Sequence, residues 1–385
     1  MTTDAAAQRQ HFITELETGH WGMSELCARF GVSRPTGYAW AARYRTAGWA
    51  GLVERSRAPH QCPHLTPPAV EEAIVAARRQ YGWGARKLRA HLQQVAPTVA
   101  WPARSTVNDI LARHDLLVPV RRRTRWTHPG AAPLTTTHPN QVWPADFKGQ
   151  FKTGDGRYCY PLTVTDHFSR RLLACQALPS IASAEARAVF RTLFRTVGLP
   201  DAIRTDNGVP FAAPGLHGLS ALNVWWMQLG IVHQRIVPAH PQDNGTHERM
   251  HRELKRATTR PAAASGPAQQ RRFDAFRTVY NRDRPHEGIG DRTPDSLWTP
   301  SPRPYPEQRP RPAYPAALDV RRVSDGGTIS WRGRPLFLSE VLHGEDVALT
   351  AIDDGLWDIV YYATLLGRFD ERRWSLSGAT RPRTV

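Results

Sequence analysis

Two neighbouring stretches constrain the fold of this chain more than any other: QVWPADFKGQF, residues 141–151, and RYCYPLTVTDHFSRRLLACQAL, residues 157–178. Both carry β-branched, aromatic and aliphatic residues in strand-length runs. They predict three successive strands, the second and third joined by a hairpin turn at Asp166 to Arg170. Then the period changes. SAEARAVFRTLFRTVG places Val189, Leu193, Phe194 and Val197 on one helical face, and a strand ending at Asp206 follows. After it come the Trp-rich helical piece LSALNVWWMQLG, a strand IVHQRIV and a helix from Thr246. Three antiparallel strands followed by alternating helices and strands predict an α/β domain with one mixed sheet, in the order of a ribonuclease H-like fold. In that order the fourth strand lies beside the first.

Three acids take places on this scaffold that local structure explains poorly. Asp146 sits inside the first strand between Ala145 and Phe147, where neither a turn nor a solvated face accounts for it. Asp206 ends the fourth strand, just before Asn207-Gly208, and the sheet order brings it toward Asp146. In isolation the Asp-Asn-Gly run reads as a turn. Glu248 falls in the first turn of the helix opened by HPQDNGTHERMHRELK, with Met250, Leu254 and Ala257 as the expected buried stripe. Glu248, Arg252 and Lys255 share another face at i, i+4 and i+7. Three converging carboxylates repel one another unless a cation joins them. Hard oxygen donors suit Mg²⁺, or Mn²⁺, and a pair of such ions suits in-line displacement at a phosphodiester. Asp166, Asp243 and Glu253 are left out of this set. Asp166 is expected to stabilise its hairpin turn through Ser169 or Arg170, and His240 and His251 are read as incidental neighbours.

Charge points to the partner. The chain has 51 Lys and Arg against 34 Asp and Glu, a net charge of +17, and only four lysines, so a polyanion such as double-stranded DNA is the expected ligand. No apolar run reaches the length of a membrane span, and MTTDAAAQRQHF lacks the pattern of a secretion signal, so a soluble intracellular protein with no membrane partner is expected. Four separated cysteines suggest neither a disulfide framework nor a zinc cluster.

The flanks read as DNA-binding modules. In MSELCARFGVSRPTGYAWAARYRTAG, Met23, Leu26, Cys27 and Phe30 make a short helix that Gly31 ends, and Ser33 caps a second helix over Pro35 to Arg45. Tyr38, Ala41 and Ala42 are expected inward, leaving Arg34, Thr36, Arg43 and Arg45 for DNA in a helix-turn-helix layout. Three apolar stripes follow: Val70, Ile74 and Ala77; Leu88 and Leu92; and Val107, Ile110 and Leu111. They predict a second such module. Next comes an aperiodic basic stretch in which Arg121, Arg122, Arg123 and Arg125 are placed to track phosphates. The expected division is 1–58 and 66–117 for the helix-turn-helix domains, 118–138 for a basic linker, and 139–298 for the catalytic core with a helical extension. A Pro/Arg-rich linker at 299–315 and a small β-barrel at 316–375 complete it.

The ordered set WPADFKG, LTVTDHFSR, IRTDNGVPF, HPQDNGTHERMHRELK and YNRDRPHEGI resembles the integrase catalytic core of bacterial insertion-sequence DDE transposases, relatives of the retroviral integrases. The resemblance covers most of the chain, including the paired N-terminal modules. It implies an acidic triad of Asp146, Asp206 and Glu248 binding Mg²⁺ or Mn²⁺, two ions in all. The implied reaction is cleavage and joining of element ends by a DNA 3′-hydroxyl. The same resemblance implies DNA contacts from Arg252 and Lys255 and from the Gln242 to Gly245 loop, Gln242 and Asn244 included, and an SH3-like C-terminal domain. It further implies a homodimer or larger assembly on DNA, and a bacterial cytoplasmic protein that joins the nucleoid when DNA-bound. Two departures stand out. The second and third acids are 42 positions apart, wider than is typical of the family, with FAAPGLHGLS as the expected insertion, and the zinc-binding N-terminal module of retroviral integrases is absent. A catalytically silent DNA-binding regulator and an Mg²⁺-dependent nuclease are the alternatives on the same scaffold.

Overall fold

A computed structural model of the chain describes residues 5–54, 65–117, 134–213, 218–236, 245–308 and 310–378. These form two compact units, residues 1–67 and 68–385. In the first, α1 (Ala5–Glu17), α2 (Met23–Arg29) and α3 (Arg34–Ala47) enclose Phe12, Ile13, Leu26, Cys27, Ala41 and Leu52. The turn between α2 and α3 needs Gly31 at φ 64°, and Ser33 caps α3 by accepting the Thr36 N–H. Gly37 lets the two helices cross closely, since a Cβ there would come within 2.5 Å of Cys27 Sγ. That close approach rotates α3 relative to the expected inward face. Gly37 and Ala41 are buried, whereas Ala42 is exposed and Tyr38 is 55% exposed.

The second unit begins with α4 (Pro68–Tyr81), α5 (Ala85–Val95) and α6 (Arg104–Arg113). The three predicted stripes close its core through Ile74, Ala77, Leu88, Leu92, Val107, Ile110 and Leu111, with Val70 partly buried against them. The mixed sheet follows: β1 (Val142–Phe147), β2 (Phe151–Lys152), β3 (Tyr158–Thr165), β4 (Leu172–Leu178), then α7 (Ser183–Val197), β5 (Ala202–Thr205), α8 (Ala221–Gln228) and β6 (Val232–Arg235). β3 lies between β4 and β1, both antiparallel to it, and β5 and β6 extend the sheet parallel to β1. This is the predicted order. α9 (Gly245–Thr258) and α10 (Gly266–Arg282) complete the core.

Strand alternation divides the sheet into two faces. Trp143, Ala145, Leu162, Val164 and Ile203 join Phe190 and Phe194 of α7 and Trp225 and Trp226 of α8 in one core. On the other face Cys159 and Cys175 pack with Met250 and Leu254 of α9 and Phe273 and Tyr280 of α10. Asp146 pairs with Thr163 across β1 and β3, and its parity puts it on the α9 face.

The C-terminal region contains β7 (Asp319–Arg322), β8 (Thr328–Trp331), β9 (Arg334–Phe337), β10 (Asp346–Asp353), β11 (Leu356–Tyr361), β12 (Thr364–Asp370) and β13 (Ser375–Gly378). These form an open antiparallel sheet in the order β13-β12-β11-β10-β7 and a separate β8-β9 hairpin, a coarser arrangement than the expected barrel. Leu219, Val224 and Met227 enter the core of this region while Trp225 and Trp226 enter the other. α8 is therefore buried on both sides, between the core of the mixed sheet and that of the C-terminal region. The expected linker at 299–315 is also not a bare tether. Ser301 Oγ donates to Leu199 O at 2.6 Å, Arg303 donates to the carbonyls of Pro200, Leu229 and Gly230, and Tyr305 stacks on Phe194.

Candidate catalytic and nucleic-acid site

The site is built where α9 crosses the sheet. Its buried residues are His247, Met250, His251, Leu254 and Thr258. The stripe expected from the sequence is corrected in one place, because Ala257 is exposed and Thr258 takes the buried position. Buried polar groups need partners in hydrogen-bond range, and here they come from β3, more than 80 positions away. Thr163 Oγ1 donates to Asp146 O at 3.0 Å, and the Nε2 atoms of His247 and His251 each lie 2.7 Å from the same hydroxyl oxygen. Thr165 Oγ1 lies 3.2 Å from His247 Nδ1. Burial pushes His247 down to about 3; His251, with burial again the largest cause and His247 and Lys148 adding to it, falls to about 2. Both imidazoles are therefore neutral. His251 Nδ1 stands 3.8 Å from Asp146 Oδ2, so this contact is neither an ion pair nor, at that length, a hydrogen bond.

Asp146, His247 and His251 gather their donor atoms within 4.8 Å of one another. Asp206 and Glu248, both exposed, lie outside that cluster. The register explains where Asp206 lies. β1 and β5 pair as Val142↔Ala202, Trp143↔Ile203 and Pro144↔Arg204, a constant offset of 60, and Asp206 follows directly after Thr205, the last residue of β5. Neighbouring strands are about 4.8 Å apart. The Asp206 carboxylate accepts the Gly208 N–H at 3.1 Å, and Asn207 donates to Ile236 O at 3.0 Å, so the turn reading of this stretch also holds. Glu248 sits one helical turn before His251, in the first turn of α9.

Arg252 and Lys255 are exposed on α9, as expected, and Arg249 and Arg256 are exposed beside them. These last two were absent from the sequence-based set, although their positions in the helix periodicity pointed outward. Arg34 and Arg45 of α3 are exposed, but Thr36 is engaged with the Ser33 cap and Arg43 donates to Val53 O at 2.8 Å. That bond holds the segment after α3 in place. Arg121, Arg122, Arg123, Arg125, Gln242 and Asn244 lie outside the described residues. His247 and His251 are not incidental neighbours but buried members of the network, and the sequence signal for them is their i, i+4 spacing on a face otherwise apolar. Asp166 behaves as expected: buried, it accepts from Ser169 N, Ser169 Oγ and Asn140 N at 2.6–2.8 Å, while burial raises its pKa.

Family models match the chain in four places. Two described as integrase core domain match residues 136–241 and 229–294; a helix-turn-helix domain matches 8–60 and a homeodomain-like domain matches 36–111. An insertion element IS476 protein of Xanthomonas euvesicatoria is 29% identical over 158 residues, covering 41% of this chain and 44% of that one. Residues 136–294 carry an integrase core, preceded by helix-turn-helix-type domains. This integrase-core chain is also 26% identical over 207 residues to the Gag-Pol polyprotein of feline leukemia virus, covering 54% of this chain and 11% of that one. It thus spans less than half the length of either relative. Among solved structures, the HTLV-2 integrase catalytic core domain in complex with magnesium is 17% identical with a TM-score of 0.33, covering 42% of this chain and 97% of that one. A simian T-cell lymphotropic virus intasome chain is 18% identical with a TM-score of 0.38, covering 80% and 100%. No helix among the described residues is long and apolar enough to cross a membrane.

Proposed function

We propose that this integrase-core protein is a DDE transposase that binds insertion-sequence ends and catalyses divalent-metal-dependent cleavage and joining of DNA strands. What supports the reading is the parallel pairing of β1 with β5 at a constant offset of 60, with Asp146 in β1 and Asp206 directly after β5, together with Glu248 in the first turn of α9, the helix whose residues line the Asp146 face. Asp146, Asp206 and Glu248 would hold Mg²⁺ or Mn²⁺, two ions in all, and their hard oxygens fit such ions. When bound, the ions supply activation of the attacking hydroxyl and stabilisation of the leaving oxygen. The protein's own part is to position. The buried network of Thr163, His247 and His251 holds the backbone of Asp146 through its carbonyl, and Arg249, Arg252, Lys255 and Arg256 attract the phosphate backbone on the exposed side of α9.

Arg34 and Arg45 of α3 would reach an element end, with Arg121, Arg122, Arg123, Arg125, Gln242 and Asn244 as further contacts. The domain division follows the sequence, the C-terminal region acting as a DNA-binding or protein-contact module. Joining needs two ends held together, so the active form is a dimer or larger assembly on DNA, in the bacterial cytoplasm. Purified protein incubated with labelled element ends, target plasmid and Mg²⁺ tests this reading. Joined products are expected, and Asp206→Asn should lower joining by about 10²-fold or more while DNA affinity stays. Cuts without joining would indicate a nuclease; binding without either, a regulator.

A further inference from the structure

The hydroxyl of Thr163 has one hydrogen and three partners. One partner, the Asp146 carbonyl, can only accept, so the hydrogen goes there and both imidazoles must donate to Oγ1 through Nε2. A neutral imidazole protonated on Nε2 carries a bare lone pair on Nδ1. For His247 the Thr165 hydroxyl satisfies that lone pair. For His251, Nδ1 stands 3.8 Å from Asp146 Oδ2, another acceptor. Two such acceptors repel unless a positive species lies close to both, and Asp146, His247 and His251 offer donor atoms within 4.8 Å of one another, the spacing a bound cation needs. A proton is a poor candidate, because 3.8 Å exceeds any hydrogen-bond length. A metal ion fits the gap: donors about 2.1 Å from one ion are about 3.0 Å apart at a right angle and about 4.2 Å apart when opposite.

We infer that His251 Nδ1 is a ligand of the divalent cation held by Asp146, giving that ion a mixed nitrogen and oxygen donor set that favours Mn²⁺ over Mg²⁺. The inference rests on the reading of Asp146 as a metal ligand given above. His247, held between two threonine hydroxyls, is the positioning residue that fixes the Thr163 hydroxyl, and so the tautomer of His251. Imidazole nitrogen is a softer donor than carboxylate, so its contribution is larger for a transition metal than for Mg²⁺.

The test uses the full chain loaded with Mn²⁺ and electron spin echo envelope modulation, which reads a directly coordinated ¹⁴N without any turnover. Wild type should show that nitrogen coupling. His251→Gln keeps a donor for Thr163 and removes Nδ1, so it should lose the coupling and bind Mn²⁺ about 10- to 100-fold more weakly, with a smaller change for Mg²⁺. His251→Asn, with an amide oxygen near the place of Nδ1, should bind Mn²⁺ without the coupling, which covers a failure of the Gln variant to fold. Mn²⁺ bound to wild type with no ¹⁴N coupling, or with coupling that survives in His251→Gln, overturns the inference and leaves the metal reading of Asp146 intact. Mn²⁺ binding unchanged in Asp146→Asn overturns both.

Discussion

Replacing Thr163 with Val removes one oxygen and almost no volume, so its effect reports on hydrogen bonding alone. Thr163 is fully buried. Its loss strands two groups in the protein interior, the Nε2–H of His247 and of His251. A buried polar group left without a partner costs about 1–3 kcal/mol, so two give about 2–6 kcal/mol if each is fully orphaned. The lower half of that range is expected, because these groups share one pocket and can relax together. About 3 kcal/mol is about two decades in an opening equilibrium. Native-state hydrogen exchange of the β1 and β3 amides should therefore quicken about 100-fold in Thr163→Val, with Thr163→Ser close to wild type. In ¹⁵N-labelled protein the Nε2–H tautomer of both histidines should be seen in wild type and disturbed in the variant. Unchanged exchange, or histidines found as Nδ1–H tautomers, would refute the account of the site as a network centred on this hydroxyl.

Three further outcomes follow from the same packing. Arg284 is buried and paired with Glu253, which Lys87 also approaches at 3.8 Å, so Arg284→Ala should destabilise the second unit by about 3–5 kcal/mol, read as a lower urea midpoint; a shift under about 1 kcal/mol would count against a buried pair. Gln228 donates to Glu345 Oε1 at 2.9 Å and to the Tyr361 hydroxyl at 3.0 Å, joining α8 to the C-terminal sheet. Gln228→Leu should weaken that joint by about 1–3 kcal/mol and speed proteolytic cutting within residues 309–318; equal cutting rates would argue that apolar packing alone holds the sheet. Finally, burial lowers His167 and His286 to about 4, and His247 and His251 further. Folded values lie below the unfolded one near 6.5, so between pH 6.5 and 4 the unfolded chain binds the extra protons. Stability is full above pH 6.5 and falls as the pH drops toward 4, by roughly 1.4 kcal/mol per pH unit for each titrating imidazole. A melting temperature that stays level across that window would show these rings to be accessible.

Much of the fold was legible in the sequence because its signals are local. Strand-length runs, the change of period after Leu178 and the Ser33 cap each act within a few residues, and the place of β5 beside β1 follows from the order of strands and helices. Asp146 stood out because a carboxylate inside a strand has no local explanation. The errors have a common source. Tyr38, Ala42 and Ala257 were assigned to buried faces by period, but the helix that crosses at Gly37 and the sheet beneath Thr258 decide which side of the stripe is covered.

The amino-acid order alone determined the strand sequence, the helix-turn-helix layout and which acids had to be explained by something beyond their neighbours. Only the tertiary structure decided what surrounds them. His247 and His251 acquired their meaning from Thr163, 84 and 88 positions away, and α8 is buried on its second side because the C-terminal sheet covers it. Periodicity records that a side chain is hidden from water; it does not record what it is hidden against, and in this site the hidden partner sets the tautomer of His251.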